Sequence, residues 1–367
     1  MLLFLASLLA VPLLHTGGLF TTGLAPIADA DIPVAQRSVQ ACAKCHPKQL
    51  AEWQHSRHSR AWTNALFQRE YKQQPLNWCV HCHAPLQSQF AQVQAKGGPL
   101  ADEGVSCAVC HVRGGKLLAR TRHPDSPHDT VVSADFGSAE FCAGCHQFNF
   151  PLFASNGQVS GYSVFPMQDT VAQFQRGPYY LQGKGRCGDC HAQSPAGHTF
   201  PGAHDPQQLK QALSYSLCRT GSGLQLTLTN RGAGHNVPTG DVHRHIVARL
   251  WRSSSPEQLF ELSLGRRYEP VEAGGKRTVV DTTLAPAQSR TYQVPGVPLG
   301  VAEKSIGKPI AKPIASELGS GDPLNFQLRY VYTIDEFPFP GHEVAEPTYL
   351  DIISERIEPQ LLPMCAK

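Results

Sequence analysis

The chain has 367 residues, which leaves room for about two domains of ordinary size. Charged residues make up 17% of it, and it contains 32 glycines and 29 prolines, a composition that favours loops and short strands and excludes a coiled coil. The formal net charge of +3 excludes the basic excess typical of nucleic-acid binding, whereas 12 cysteines and 17 histidines direct attention to the chemistry of those side chains.

The first 30 residues have the pattern of an export signal. An apolar run over residues 1–14 is followed by Ala28-Asp29-Ala30, a small-x-small cleavage site. No Lys or Arg precedes Arg37, so a retained anchor is the alternative, although the run is shorter than the roughly 20 residues that a membrane-spanning helix needs. We expect residues 1–30 to be a signal peptide and the mature protein to be exported, to the periplasm or the cell surface.

Ten of the 12 cysteines form five C-x-x-C pairs, and a histidine directly follows each pair. The motifs are Cys42-Ala-Lys-Cys45-His46, Cys79-Val-His-Cys82-His83, Cys107-Ala-Val-Cys110-His111, Cys142-Ala-Gly-Cys145-His146 and Cys187-Gly-Asp-Cys190-His191. Two thiols on one turn can each form a thioether with a vinyl group of the same porphyrin, and the adjacent imidazole then binds the iron. Zinc ribbons and disulfides are the alternatives, but neither requires a histidine after every pair. The motifs therefore predict five haems c.

The motifs also indicate how the N-terminal part is organised. Their unequal spacing excludes a strict repeat, and too little chain separates them to bury each haem by itself. The haems must then pack against one another, so residues 31–208 are expected to form a helical, loop-rich pentahaem cytochrome c domain. Within it, residues 47–70 predict a helix that carries Leu50, His58 and Trp62 on one face.

The second axial ligand of each iron sets its potential and its access to small molecules. Outside the leader the chain has only Met167 and Met364, which favours histidine as this distal ligand. His58 is the first candidate because it lies near the centre of the apolar face. The other candidates are His123, His128, His198, His204 and His235, and we expect one of the first two to bind iron. Because histidines outnumber the positions, the sequence leaves open whether one iron keeps a free position.

Several segments resemble multihaem cytochromes c of the cytochrome c-554 type, especially members with a C-terminal β-domain. They are Trp53 to His58, Gly104-Val-Ser-Cys-Ala-Val-Cys-His-Val-Arg113, Gln168-Asp-Thr before the fifth motif, His198-Thr-Phe-Pro-Gly-Ala-His204 and Gly234-His-Asn-Val-Pro-Thr-Gly-Asp241. The last resembles the start of that β-domain. The resemblance covers roughly residues 40–250. It implies electron transfer in the periplasm or at the cell surface, with His58 and one or both of His198 and His204 as distal ligands.

The C-terminal part contains no C-x-x-C-H motif and instead shows alternating apolar and polar residues. Leu224, Leu226 and Leu228 alternate with polar residues, and residues 326–334 alternate in the same way, which predicts strands. Residues 245–251, 259–264 and 278–281 are further strand candidates. The fold class is therefore α+β, with a β-sandwich-like domain over residues 209–367.

Cys218 and Cys365 belong to no motif and lie at the two ends of the predicted sandwich. In an oxidising compartment they are expected to form a disulfide. Two free thiols are the alternative, because the sequence does not give the distance between them.

Three functions are compatible with these features. An electron carrier is favoured over an enzyme, because every motif ends in histidine and none marks a specialised catalytic haem. Its partners would be redox proteins, such as a quinol-oxidising membrane complex, a terminal reductase or other cytochromes, in anaerobic or extracellular respiration. A haem enzyme with one open distal site, acting on a small nitrogen or sulfur compound, and a subunit of a haem-stacked filament are the alternatives. We expect no nucleic-acid partner, and a homo-oligomer is compatible with the sequence.

Overall fold

The computed structural model describes residues 27–366, except 31, 114, 157, 184, 222, 255–257, 272–273, 295–322 and 334–345. Most of the predicted signal peptide, residues 1–26, lies outside this range. No helix among the described residues has both the length and the apolar character needed to span a membrane.

The N-terminal part is built from short helices and two small sheets. Its helices are α1 Val39–Ala43, α2 Pro47–His55, α3 Ala65–Gln73, α4 Asn77–His83, α5 Gln87–Gln94, α6 Pro99–Asp102, α7 Cys107–His111, α8 Ala139–His146, α9 Thr170–Gln175, α10 Pro178–Leu181, α11 Cys187–His191 and α12 Pro206–Ala212. Its strands are β1 Val112–Arg113, β2 Lys116–Ala119, β3 Thr130–Val132, β4 Gln147–Phe153 and β5 Val159–Asp169. The first three strands form one sheet and the last two form a hairpin.

The C-terminal part is built from strands. They are β6 Leu213–Thr220, β7 Gly223–Asn230, β8 His245–Arg252, β9 Gln258–Pro270, β10 Lys276–Asp281, β11 Ser289–Val294, β12 Leu324–Val331 and β13 Tyr349–Ile357. One sheet has the order β10-β9-β8-β12-β13 and the other β11-β7-β6, and all neighbours are antiparallel. The α+β class is confirmed, with a helical N-terminal and a β-rich C-terminal region.

Both large sheets contribute to one hydrophobic core. In β7 the side chains of Leu224, Leu226 and Leu228 are buried, as the period-two alternation predicts, and they share a cluster with Ile246 of β8 and Phe326 of β12. Side chains from the facing surfaces of two sheets therefore interdigitate, which is the packing of a β-sandwich.

Helix α12 links the two parts of the chain. Asp205 caps its N-terminus, because the carboxylate accepts from the backbone N–H groups of Gln207 and Gln208. Leu209 and Ala212 are buried in the same core as the sheets. The helix is thus anchored to the strands that follow it.

The structure joins Cys218 and Cys365 in a disulfide. The backbone supports the same junction, because the N–H of Arg219 donates to the carbonyl of Pro363 and the N–H of Cys365 donates to the carbonyl of Arg219. The C-terminal segment is therefore attached to the edge strand β6.

The predicted helix over residues 47–70 is interrupted in the structure. Helix α2 ends at His55, and a turn separates it from α3. The Ser56 hydroxyl donates to the carbonyl of Trp53, and Ser59 donates to the carbonyl of Ser56. Serine hydroxyls that bond to nearby backbone compete with helical hydrogen bonds and can end a helix. The spacing of apolar residues does not show such a break, so the sequence predicted one continuous helix.

Candidate functional site

A cavity of about 2230 Å³ runs through the N-terminal part and reaches the start of the sandwich. All ten motif cysteines and all five motif histidines line it. A pocket for one small molecule has a volume of roughly 300–1,000 Å³, so this cavity has room for several large groups. The donor set and the space together fit c-type haems.

The motif helices hold their cysteine and histidine side chains toward this cavity. Four of the five motifs end a helix with the histidine as its last residue, in α4, α7, α8 and α11. Ser138 is the N-cap of α8, and its hydroxyl accepts a hydrogen bond from the N–H of Phe141. One helical turn therefore brings the two thiols and the imidazole of a motif to the same side.

Contacts between thiols show which motifs are neighbours. The Cys42 and Cys107 thiols lie close enough to affect each other's pKa, so the first motif is next to the third. Cys82 and Cys145 do the same, so the second motif is next to the fourth.

The fourth motif has further neighbours. Cys142 lies close enough to Cys187 of the fifth motif for each to affect the pKa of the other. Cys145 lies close enough to Cys110 of the third motif to affect its pKa. The fourth motif is therefore the junction between the third, the second and the fifth.

Four motif histidines each face a second histidine across the cavity. The ring centroids are 6.1 to 6.4 Å apart in the pairs His46–His128, His58–His146, His111–His198 and His191–His235. Two metal–imidazole bonds of about 2 Å and the roughly 1 Å from each nitrogen to its ring centre add up to about 6 Å. The spacing matches two imidazoles that share one metal ion.

Hydrogen bonds favour the tautomer that leaves Nε2 free in these rings. Nδ1 of His111 lies 3.0 Å from the carbonyl of Leu118, and Nδ1 of His191 lies 2.6 Å from the carbonyl of Pro201. On the opposite side, Nδ1 of His235 lies 2.8 Å from the Asn236 carbonyl. A ring that donates through Nδ1 presents an unprotonated Nε2, the form that binds iron.

Burial keeps the rings of His58 and His235 neutral. It lowers the pKa of His58 from its ordinary value to about 4, with a smaller effect from the nearby His146 and His191. Burial likewise lowers the pKa of His235 to about 4. Only a neutral imidazole binds a metal, so both groups are ready to do so at neutral pH.

The position of His58 depends on a close backbone approach. The N–H of Val105 donates to the carbonyl of His58 over 2.9 Å. The preceding Gly104 has φ +59°, and a Cβ there would lie 2.7 Å from the same carbonyl oxygen. Glycine is therefore required at 104 for the third motif to pack against the turn that carries His58.

His123 and His204 are not placed opposite a motif histidine. Nδ1 of His123 accepts from the N–H of Asp125, so in the neutral ring Nε2 carries the proton. Nε2 of His204 lies 3.4 Å from Nη1 of Arg244, and its ring stacks on Tyr332 with centroids 3.9 Å apart. Among the expected distal ligands, the structure thus brings His58, His128, His198 and His235 to the motif histidines.

The second motif differs from the other four. Among the described residues, no histidine ring faces His83 at the separation found in the pairs. Instead Phe67 of α3 stacks on the His83 ring with centroids 3.6 Å apart and planes 6° apart. Nδ1 of His83 lies 2.6 Å from the Ala61 carbonyl, so its Nε2 is also free. Phe67 carried no signal in the sequence, because a single aromatic residue on a helix usually belongs to a core.

Comparison with known proteins agrees with this site. Residues 41–112 match the family model of cytochrome c554 and c-prime, a segment that contains the first three motifs and His58. This match confirms the resemblance to multihaem cytochromes c. The crystal structure of a penta-heme cytochrome c552 from Thermochromatium tepidum has the same fold as this chain, with a TM-score of 0.62 and 17% sequence identity over 87% of this chain and 98% of that one. No curated protein matches the chain.

Proposed function

We propose that this protein transfers electrons through five haems c, four of which are bound between two histidines. The observation that carries the proposal is the set of four histidine pairs, each with ring centroids 6.1 to 6.4 Å apart and each containing one motif histidine. The ten motif cysteines would hold the haems covalently. When bound between two imidazoles, a haem iron exchanges single electrons at low potential.

The chain's own residues support transfer between neighbouring haems. Because cysteines of different motifs lie near one another, the haems attached to them would also be close: the first near the third, and the fourth near the second, third and fifth.

His83 supports a second candidate function. Since no described histidine faces it, the second haem would keep a free position. An open position permits binding and conversion of a small nitrogen or sulfur compound. The protein would then be a multihaem oxidoreductase in which the other four haems supply or remove electrons.

Export to the periplasm or cell surface, for a role in respiration, is also part of the proposal. We place the haem-binding part at residues 31–208 and the sandwich at 209–367. The signal peptide is placed at residues 1–30, with cleavage near Ala30 and a retained anchor as the alternative. The contacts of residues 27–29 support the alternative, since the N–H of Ile27 donates to the carbonyl of Pro85 and the buried Asp29 accepts from the backbone N–H of Ser88. N-terminal sequencing of the exported protein distinguishes cleavage from retention.

Haem counting tests the central proposal. We expect intact-mass measurement and the pyridine haemochrome assay to find five haems per chain in the exported protein, and four after Cys187→Ala with Cys190→Ala. Fewer than five haems in the unaltered protein would contradict the proposal.

Electron paramagnetic resonance of the fully oxidised protein separates the two functions. We expect low-spin signals from four haems and a high-spin signal from one. A spectrum with only low-spin haems would exclude the open-site enzyme and leave the carrier, whereas two or more high-spin haems would contradict the four histidine pairs.

A further inference from the structure

Three arginines from two distant segments line the cavity near His204, at the junction with the sandwich. Arg57 and Arg60 lie in the turn after α2, and Arg244 directly precedes β8. All three line the cavity, and their charges, together with burial, lower the pKa of His204 to about 2. We call Arg57, Arg60 and Arg244 the arginine cluster.

The cluster has more positive than negative charge among the described residues. Arg57 forms an ion pair with Glu346 over 3.0 Å, and Asn64 also donates to that carboxylate. Within the part of the chain that the structure describes, no acidic side chain forms an ion pair with Arg60 or Arg244. Arg244 is half-buried, and a guanidinium that is partly withdrawn from water is ordinarily compensated by an anion.

Arg244 is held in a defined orientation. Its guanidinium lies over the Tyr332 ring, with 4.9 Å from Cζ to the centroid, and Nη1 meets Nε2 of His204. The neutral His204 ring accepts this hydrogen bond and adds no charge. An arginine has five N–H donors in a fixed fork, so the remaining donors can bind two oxygens of one anion.

We propose that the arginine cluster binds an anion with two or more oxygens, of the carboxylate or small oxyanion class, inside the cavity. The cluster lines the same cavity as the second motif. Two sources have this chemistry: a propionate of a bound haem, or a free oxyanion substrate. The inference rests on the proposed function only for the choice between these sources, because binding of a free oxyanion requires no particular role for the haems.

The test uses the haem-loaded protein, the variant Arg244→Gln and the control Arg249→Gln. Arg249 lies on β8 as well, but it pairs with Glu261 on the outer face of the sheet. Isothermal titration calorimetry with sodium sulfate and sodium phosphate, which are poor ligands of haem iron, against sodium chloride at equal ionic strength, measures a free oxyanion. A spectroelectrochemical titration of the haems measures a propionate contact.

If the ligand is a free oxyanion, the unaltered protein binds a probe saturably and Arg244→Gln weakens binding roughly ten- to hundredfold. If the ligand is a propionate, neither probe binds, and Arg244→Gln lowers the midpoint potential of one haem, because a positive charge beside it is lost. Arg249→Gln changes neither quantity. Arg244→Lys keeps the charge but not the fork, and gives an intermediate result that excludes misfolding as the cause.

The proposal is overturned if neither probe binds and the potentials of Arg244→Gln equal those of Arg249→Gln. The haem count is measured first on the same samples. A count below five contradicts the electron-transfer proposal, whereas five haems with no effect of Arg244→Gln contradicts the anion site alone.

Discussion

At the scale of single residues, two histidines on the cavity wall with lowered pKa values have different tasks. His58 faces His146 with ring centroids 6.4 Å apart, whereas His204 accepts from Arg244. Both are neutral at physiological pH, because burial lowers the pKa of each. Neutrality alone therefore does not identify a ligand; the group that faces Nε2 does.

Removal of His58 should expose one iron. We predict that His58→Ala converts one further haem from low spin to high spin in the oxidised protein, because the iron bound to His146 loses its second imidazole. The matched control is His55→Ala, since His55 is exposed and its Nδ1 bonds to the carbonyl of Ala51. An unchanged paramagnetic resonance spectrum of His58→Ala would refute the pairing with His146.

His204 should make stability depend on pH. In the unfolded chain a histidine titrates near pH 6.5, whereas burial and the three arginines lower the pKa of His204 to about 2 in the folded state. As the pH falls from about 6.5 the unfolded state binds a proton that the native state does not, so the free energy of unfolding decreases.

We predict that His204→Gln loses less stability than the unaltered protein between about pH 7.5 and about pH 5, measured by denaturant unfolding. His55→Gln should lose as much as the unaltered protein. Equal losses in all three proteins would show that His204 does not remain neutral in the folded state.

At the scale of elements, the strands follow the sequence pattern more closely than the helices do. The alternating residues of β7, and those of β12 as far as Leu328, pack as expected, because every second side chain of a strand points to the same face. Beyond Leu328 the strand has a register shift and Arg329, Tyr330 and Val331 are all buried, and residue 334 of the predicted strand lies outside the described residues. The helix predicted over residues 47–70 is divided, because local serine hydrogen bonds and the approach of Gly104 favour a turn. The turn that carries His58 therefore depends on the segment around Gly104, about 45 residues further along the chain, as well as on the local sequence.

The packing of β12 between β8 and β13 can be tested directly. Leu328 is fully buried and lies opposite Ala248 and Ile353 in the neighbouring strands. We predict that Leu328→Ala lowers the free energy of unfolding by about 2–5 kcal/mol, through lost apolar burial and the cavity that remains. Denaturant unfolding measures it. Gln327→Ala, on the opposite face, is the control and should change it by less than about 0.5 kcal/mol; equal effects would contradict the assigned faces.

At the scale of the whole molecule, the C-terminus is tied to β6 by a covalent bond. The disulfide joins residues 147 positions apart, so it restricts a long loop in the unfolded chain. We predict that Cys218→Ser with Cys365→Ser lowers the free energy of unfolding by about 2–5 kcal/mol. Thermal unfolding of the unaltered protein with and without a reductant is the parallel measurement. An unchanged unfolding temperature in the double variant would show that the backbone hydrogen bonds around Arg219 suffice.

The arrangement of the whole chain brings histidines from one motif region to another. His128, in the loop after β2, faces His46 of the first motif, and His235, in the loop between β7 and β8 of the sandwich, faces His191 of the fifth. The sandwich therefore completes the site rather than merely following it. Removal of a segment that supplies a facing histidine would therefore change the ligands of a haem that is attached to another segment.

The cofactor class, the motif positions and most strands could be predicted from the sequence, because each depends on residues close together in the chain. A C-x-x-C-H motif places its three groups within one helical turn, and a strand shows its faces by alternation. The pairing of histidines was decided only by the tertiary structure. His198 and His204 end the same short loop, yet one faces His111 and the other meets Arg244. Which ring reaches which motif depends on how distant segments pack, and no local spacing encodes that.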